Sequence, residues 1–163
     1  MSQAKLDRTD LKILDALQRN GRLTHAELAE MVGLSISPCW RRLKRLEEEG
    51  IIAGYQAVLD RRALGLGVTA FVRMDIERHT PTQERKFEEA IADLPEIVAC
   101  HVISGEGAFL LTVVCESLEA YSKFALETLM ALPNVKDTQT SFSLKEVKAS
   151  TVLPLKLPRA GPS

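Results

Sequence analysis

The sequence predicts an α+β protein: an N-terminal winged helix-turn-helix followed by a ferredoxin-like βαββαβ domain. Three observations carry this. The first third holds three helical patterns with their caps, and only "GLSIS" separates the second from the third. Beyond Gly67, segments with the period of a strand and segments with the period of a helix follow in the order β-α-β-β-α-β. Finally, "LPEIV" at Leu94 returns as "LPNVK" at Leu132, an interval of 38 residues that fits two similar βα units. The expected domains are 1–59, a linker at 60–67, a second domain at 68–157, and a disordered tail at 158–163.

In "DRTDLKILDALQRNG", Asp7 is the expected cap, Ile13, Leu14 and Leu17 form the apolar stripe, and Gly21 ends the helix. In "THAELAEMVG", Thr24 and Glu27 fit a capping box, Leu28, Ala29 and Val32 face inward, and Gly33 is a left-handed stop. The third helix is expected to start with Ser37 as cap and Pro38 at the first helical position. Small Ala29 allows the second and third helices to cross closely, as helix-turn-helix units do. "IIAGYQAVLD" alternates through Ile51, Ala53, Tyr55, Ala57 and Leu59, a strand pattern suited to a wing or an arm toward the neighbouring domain.

The third helix has an unusual charge order. Arg41, Arg42, Lys44 and Arg45 come early, and Glu47, Glu48 and Glu49 come late. The helix dipole favours the reverse. At about 100° per residue, Cys39, Leu43 and Leu46 share one narrow stripe, which must face the core, while Arg41, Lys44 and Arg45 lie opposite. Arg42 takes one flank and Trp40 the other. In a helix-turn-helix the N-terminal residues of the second helix enter the major groove. The cations therefore sit where a polyanion would be, and the glutamates where the helix leaves it. The candidates for contact with double-stranded DNA are Ser35, Ser37, Trp40, Arg41, Arg42, Lys44 and Arg45. A net charge of −1 does not oppose this, because a local cluster suffices.

In the second half, "VTAFVRMDIE" reads as a strand with Val68, Ala70, Val72, Met74 and Ile76 on one face. "TPTQERKFEEAIADLP" reads as a helix capped by Thr80, with Phe87, Ile91 and Leu94 toward the sheet. Strands "EIVACHVIS" and "FLLTVVCE" flank the turn "GEGA"; helix "SLEAYSKFALETLMALP" and strand "VKDTQTSFSL" follow. The segment Val152 to Leu157 is apolar enough to dock on a partner surface.

Several functions are not encoded. His25, His79 and His101 lack metal-ligand spacing with each other or with Cys39, Cys100 and Cys115, so no metal site or cofactor is expected. No P-loop, dinucleotide fingerprint or nucleophile elbow is present, so the chain is not expected to be an enzyme. The polar start "MSQAKLDRTD" has no signal-peptide core, and no apolar run matches a bilayer, so a cytoplasmic protein without a membrane partner is expected.

The stretch "LDRTDLKILDALQRNGRLTHAELAEMVGLSISPCWRRLKRLEEEGIIAGY" closely resembles the DNA-binding half of the Lrp/AsnC, or feast/famine, bacterial transcription regulators. Similarity continues through "LDRRALG", the βαββαβ half and "LPNVKDTQTSFSLKEVK". The resemblance implies a DNA-binding transcription regulator with an effector and assembly domain, and dimers that build octamers or similar rings. It also implies an amino-acid effector bound between subunits, at positions that here are Gly105, Glu106, Gly107, Ala108, Thr138, Thr140 and Ser141. The family pattern places an acid where this chain has Ala108, which weakens the expectation for an amino acid. The alternatives are a DNA-binding regulator or architectural protein without such an effector, and a small metabolic enzyme with a ferredoxin-like core.

Overall fold

The computed structural model describes residues 5–77, 80–104 and 109–156. They form two compact units. One comprises the chain up to Val58 together with the chain from Lys148 onward; the other is Leu59–Val147.

The first unit contains α1 (Arg8–Arg19), α2 (His25–Val32) and α3 (Ile36–Glu48). Asp7 caps α1 by accepting from the Thr9 and Asp10 amides, and Asp10 returns a bond to the Asp7 amide, a full capping box. Thr24 and Glu27 do the same for α2, which ends at Gly33 with φ 73°. Ile13, Leu28 and Leu46, at 1% exposure or less, centre a core shared by all three helices.

Three local expectations are corrected. Asn20, not Gly21, is the C-cap of α1; Gly21 instead lies against the Tyr55 ring, where a Cβ would sit 3.4 Å from Cδ1. The cap of α3 is Ser35 rather than Ser37, so Pro38 is the third helical residue. Proline is tolerated there because the first-turn amides have no intrahelical acceptor. Ile51–Leu59 forms no strand. Gly50 turns left-handed at φ 69°, and the Ile51 and Ile52 amides both bond to the Leu46 carbonyl. The residues beyond are exposed, Val58 at 88%, and an alternating sequence becomes a strand only where a second strand completes its ladder.

Residues 148–156, expected from sequence in the second domain, cluster with this first unit. The Gln18 side-chain amide is one tie between them. Its Oε1 accepts from the Leu153 amide at 2.8 Å, and its Nε2 donates to the Leu153 carbonyl at 3.1 Å.

The second unit is β1 (Val68–Ile76), α4 (Pro81–Ala92), β2 (Ile97–Val102), β3 (Phe109–Cys115), α5 (Leu118–Glu127), a 3-10 turn at Leu129–Ala131, and β4 (Val135–Phe142). The sheet order is β2-β3-β1-β4, with every pair antiparallel. This is the ferredoxin-like arrangement the element order predicts. Ala70, Val72, Met74 and Ile76 are buried on one face with Phe87 of α4 and Tyr121 and Phe124 of α5. Phe87 and Phe109 rings stack at 4.4 Å. The opposite face stays open, with Phe71 at 42% and Val98 at 60% exposure. Asp60–Gly67, read as a linker, is a folded turn. Asp60 Oδ1 accepts from the Arg62 and Ala63 amides, and Arg61 donates to Thr69 Oγ1 at 2.6 Å and to Glu146 at 2.9 Å.

Candidate nucleic-acid interface

The turn between α2 and α3 contains a left-handed glycine and one residue before the Ser35 cap. The Leu34 amide bonds back to the Ala29 carbonyl, closing α2 while freeing the chain to re-enter helix at once. Cys39, Leu43 and Leu46 are buried as their stripe requires, so α3 has one fixed rotation about its axis. That rotation exposes Ser35, Ile36, Ser37, Trp40, Arg41 and Lys44.

The cations divide into two groups. Arg42 and Arg45 are half-buried and tied to α1. Arg42 Nη1 lies 2.6 Å from Asp7 Oδ2 and 2.8 Å from Asp10 Oδ1; Arg45 Nη2 lies 2.6 Å from Asp10 Oδ2. Asp10 is 1% exposed, a buried carboxylate held by two guanidiniums and the Asp7 amide. The Asp10 amide, followed by Arg42, holds the Asp7 carboxyl below its ordinary range, and Arg42 is raised in turn. Arg41 has no ion pair among the described residues. Lys44 pairs only loosely with Glu48, at 3.6 Å, and its Nζ stands 5.4 Å from the Trp40 ring centroid. Asp7, Pro38, Arg41, Arg42 and Arg45 rim a shallow cavity of about 390 Å³.

Sequence reasoning missed Asp10 and Ile36. A signal for Asp10 existed: it is three residues after the cap and on the same stripe as Ile13 and Leu17. Ile36 was read as turn, because the helix start was placed two residues late.

Of the expected effector residues, the described ones are Thr138, Thr140 and Ser141. Gly105, Glu106, Gly107 and Ala108 lie outside the described residues. Thr138 and Thr140 stand opposite Met74 and Val72 on the helix-covered face, where Thr140 Oγ1 is 2.5 Å from the Tyr121 hydroxyl. Ser141 stands opposite Phe71 on the other face. A cavity of about 730 Å³ in this unit is lined by Phe71, Val98, Thr112, Val114 and Phe124 among others, and by none of these three residues. Burial pushes the Cys39, Cys100 and Cys115 thiols up, and all three are free. Among the described residues no cluster of His, Cys, Asp or Glu could hold a metal, and no helix is long and apolar enough to cross a membrane.

Residues 6–53 match the family model of a winged helix-turn-helix DNA-binding domain, and residues 69–153 match that of the Lrp/AsnC ligand binding domain. The chain belongs to the Lrp/AsnC family. It is 42% identical over 152 residues to the Bkd operon transcriptional regulator of Pseudomonas aeruginosa, covering 93% of this chain and 99% of that protein. It is 41% identical over 151 residues to the leucine-responsive regulatory protein of Escherichia coli, covering 93% and 92%. A transcriptional regulator of Neisseria meningitidis, solved as its L-Met complex, superposes with a TM-score of 0.89 at 45% identity, covering 93% of this chain and 98% of that one. This Lrp/AsnC protein is thus a DNA-binding transcription regulator with a ligand-binding domain, in a family of regulators and not of enzymes.

Proposed function

We propose that this regulator docks the N-terminal half of α3 in the major groove, with Ser37, Trp40, Arg41 and Lys44 toward base edges and phosphates. The carrying observation is the fixed rotation of α3: burying Cys39, Leu43 and Leu46 turns those four residues outward together. Arg42 and Arg45, also candidates from sequence, act first as the tie to α1 and offer phosphates their outer edges around the cavity beside Arg41. Ser35 caps the helix at the groove entrance.

The second unit takes a small effector, an amino acid with an apolar side chain. The support is that relatives above 40% identity include a leucine-responsive protein and a regulator solved with L-Met. The site includes residues 105–108 and, within β4, Thr138, Thr140 and Ser141. Thr138 and Thr140 face one side of β4 and Ser141 the other, and the ligand sits where subunits meet. The protein assembles as dimers and higher even-numbered rings through the open sheet face with Phe71 and Val98, and acts in the cytoplasm. A purely architectural DNA protein is the second reading, favoured by Ala108 where an acid would hold the ligand's amine.

The test selects bound sequences from random duplex DNA, with and without each amino acid. The expected result is a two-fold related motif with half-sites one or more helical turns apart, its occupancy changed by one or a few apolar amino acids. A motif unaffected by any amino acid favours the architectural reading; no motif refutes sequence-specific docking.

A further inference from the structure

We propose that Ile36 and Trp40 form an apolar step on the recognition face that reads thymine C5-methyl groups. This rests on the docking of α3 described above. Ile36 is the first residue of α3 and 55% exposed; Trp40, one turn later, is 44% exposed. Folding does not account for Ile36, since a β-branched residue at an exposed helix position adds no propensity and little burial.

At about 100° per residue, Ile36, Ser37, Trp40, Arg41 and Lys44 occupy one arc of roughly 140°. Two apolar groups therefore share a face with two cations and a hydroxyl. The cations suit a polyanion, so the occupant of this face is a nucleic acid, and its apolar feature must match Ile36 and Trp40. In the major groove that feature is the thymine methyl; the other edges there present donors and acceptors. The Lys44 ammonium, 5.4 Å from the Trp40 ring, pairs with the ring's electron-rich face and limits its rotation. Arg42 and Arg45 lie beyond this arc, past Arg41, where Asp7 and Asp10 engage them.

The test replaces thymine by deoxyuridine, one position at a time, in a duplex selected from random sequence. This deletes the methyl and leaves pairing and groove edges intact. Affinity is measured by fluorescence anisotropy at fixed salt for the full-length protein and for Ile36→Ala and Trp40→Ala. One or two positions per half-site should lose about fourfold per methyl, from the usual value of a buried methylene. Ile36→Ala should bind the thymine duplex more weakly and no longer distinguish thymine from deoxyuridine at one of those positions, a coupling that a general loss of affinity does not produce. Equal binding of every deoxyuridine duplex by the parent overturns the proposal, as does full discrimination retained in both variants. If no selected duplex is bound in a salt-dependent way, the docking itself fails, and that outcome is distinct.

Discussion

Asp10 adds a polar tie between two helices that also share an apolar core. Its carboxylate is almost wholly buried, and both oxygens are taken by guanidiniums from α3. Removing one partner of a buried pair leaves the others uncompensated. Asp10→Ala should therefore cost about 3 kcal/mol in urea unfolding, the lower end for a buried pair because the arginines reach solvent. A loss below about 1 kcal/mol would mean that water replaces the carboxylate without penalty. Asp7 adds a pH dependence of known sign. Its pKa is lowered in the fold, first by the Asp10 amide and then by Arg42. Its contribution is present above the ordinary carboxylate value of 3.8 and is lost as pH falls through the depressed one. Asp7→Asn should flatten that acid limb of the stability curve. Tyr55 has the opposite sense: partial burial, then its bond to Glu47 at 2.9 Å, raises the phenol to about 12. Its contribution is complete below pH 10.0 and is lost as pH rises through about 12. Ultraviolet titration should show a late phenolate step that Tyr55→Phe removes. Asp7 as a cap was legible in sequence because the amides that donate to it lie within three residues. The Asp10 ties were not, because Arg42 and Arg45 stand 32 and 35 residues away.

At the scale of elements, Gly33 sets the angle at which α3 leaves α2. It sits at φ 73° with open space around its Cβ direction, so replacement strains only the backbone. Gly33→Ala should cost about 1 kcal/mol in unfolding free energy, the usual penalty of an alanine in the left-handed region. A thermal scan showing no loss would place the turn's geometry elsewhere. Helix identity, the order of elements along the chain and the inward stripes were readable because periodicity reports burial directly. Alternation also separates Thr138 and Thr140 from Ser141, a consequence of period two that the family-based grouping passed over. Ile51–Leu59 has equally clear alternation and forms no strand here, since a single chain gives it no ladder partner. The start of α3 shifted by two residues because both Ser35 and Ser37 are good caps, and Pro38 is acceptable at the first or third position.

At the scale of the whole molecule, the proposed assembly and the proposed effector each have a test. A sheet with helices on one face leaves Phe71 and Val98 exposed, and light scattering at micromolar concentration should report an even-numbered oligomer. A stable monomer would contradict that. The absence of an acid at Ala108 predicts weak binding of free amino acids, because a buried ammonium needs a counter-charge or a full set of acceptors. Calorimetric titration should find tighter binding in Ala108→Asp than in the parent; equal micromolar binding by both would show that other acceptors hold the amine. The central claim is that the outward face of α3 carries the DNA. The slope of log affinity against log salt tests it most directly, for the parent and for Arg41→Ala with Lys44→Ala on one selected duplex. Each phosphate contact contributes about 0.9 to that slope, so the double variant should bind more weakly with a slope shallower by about one to two. Unchanged affinity and slope in a folded double variant would contradict the account.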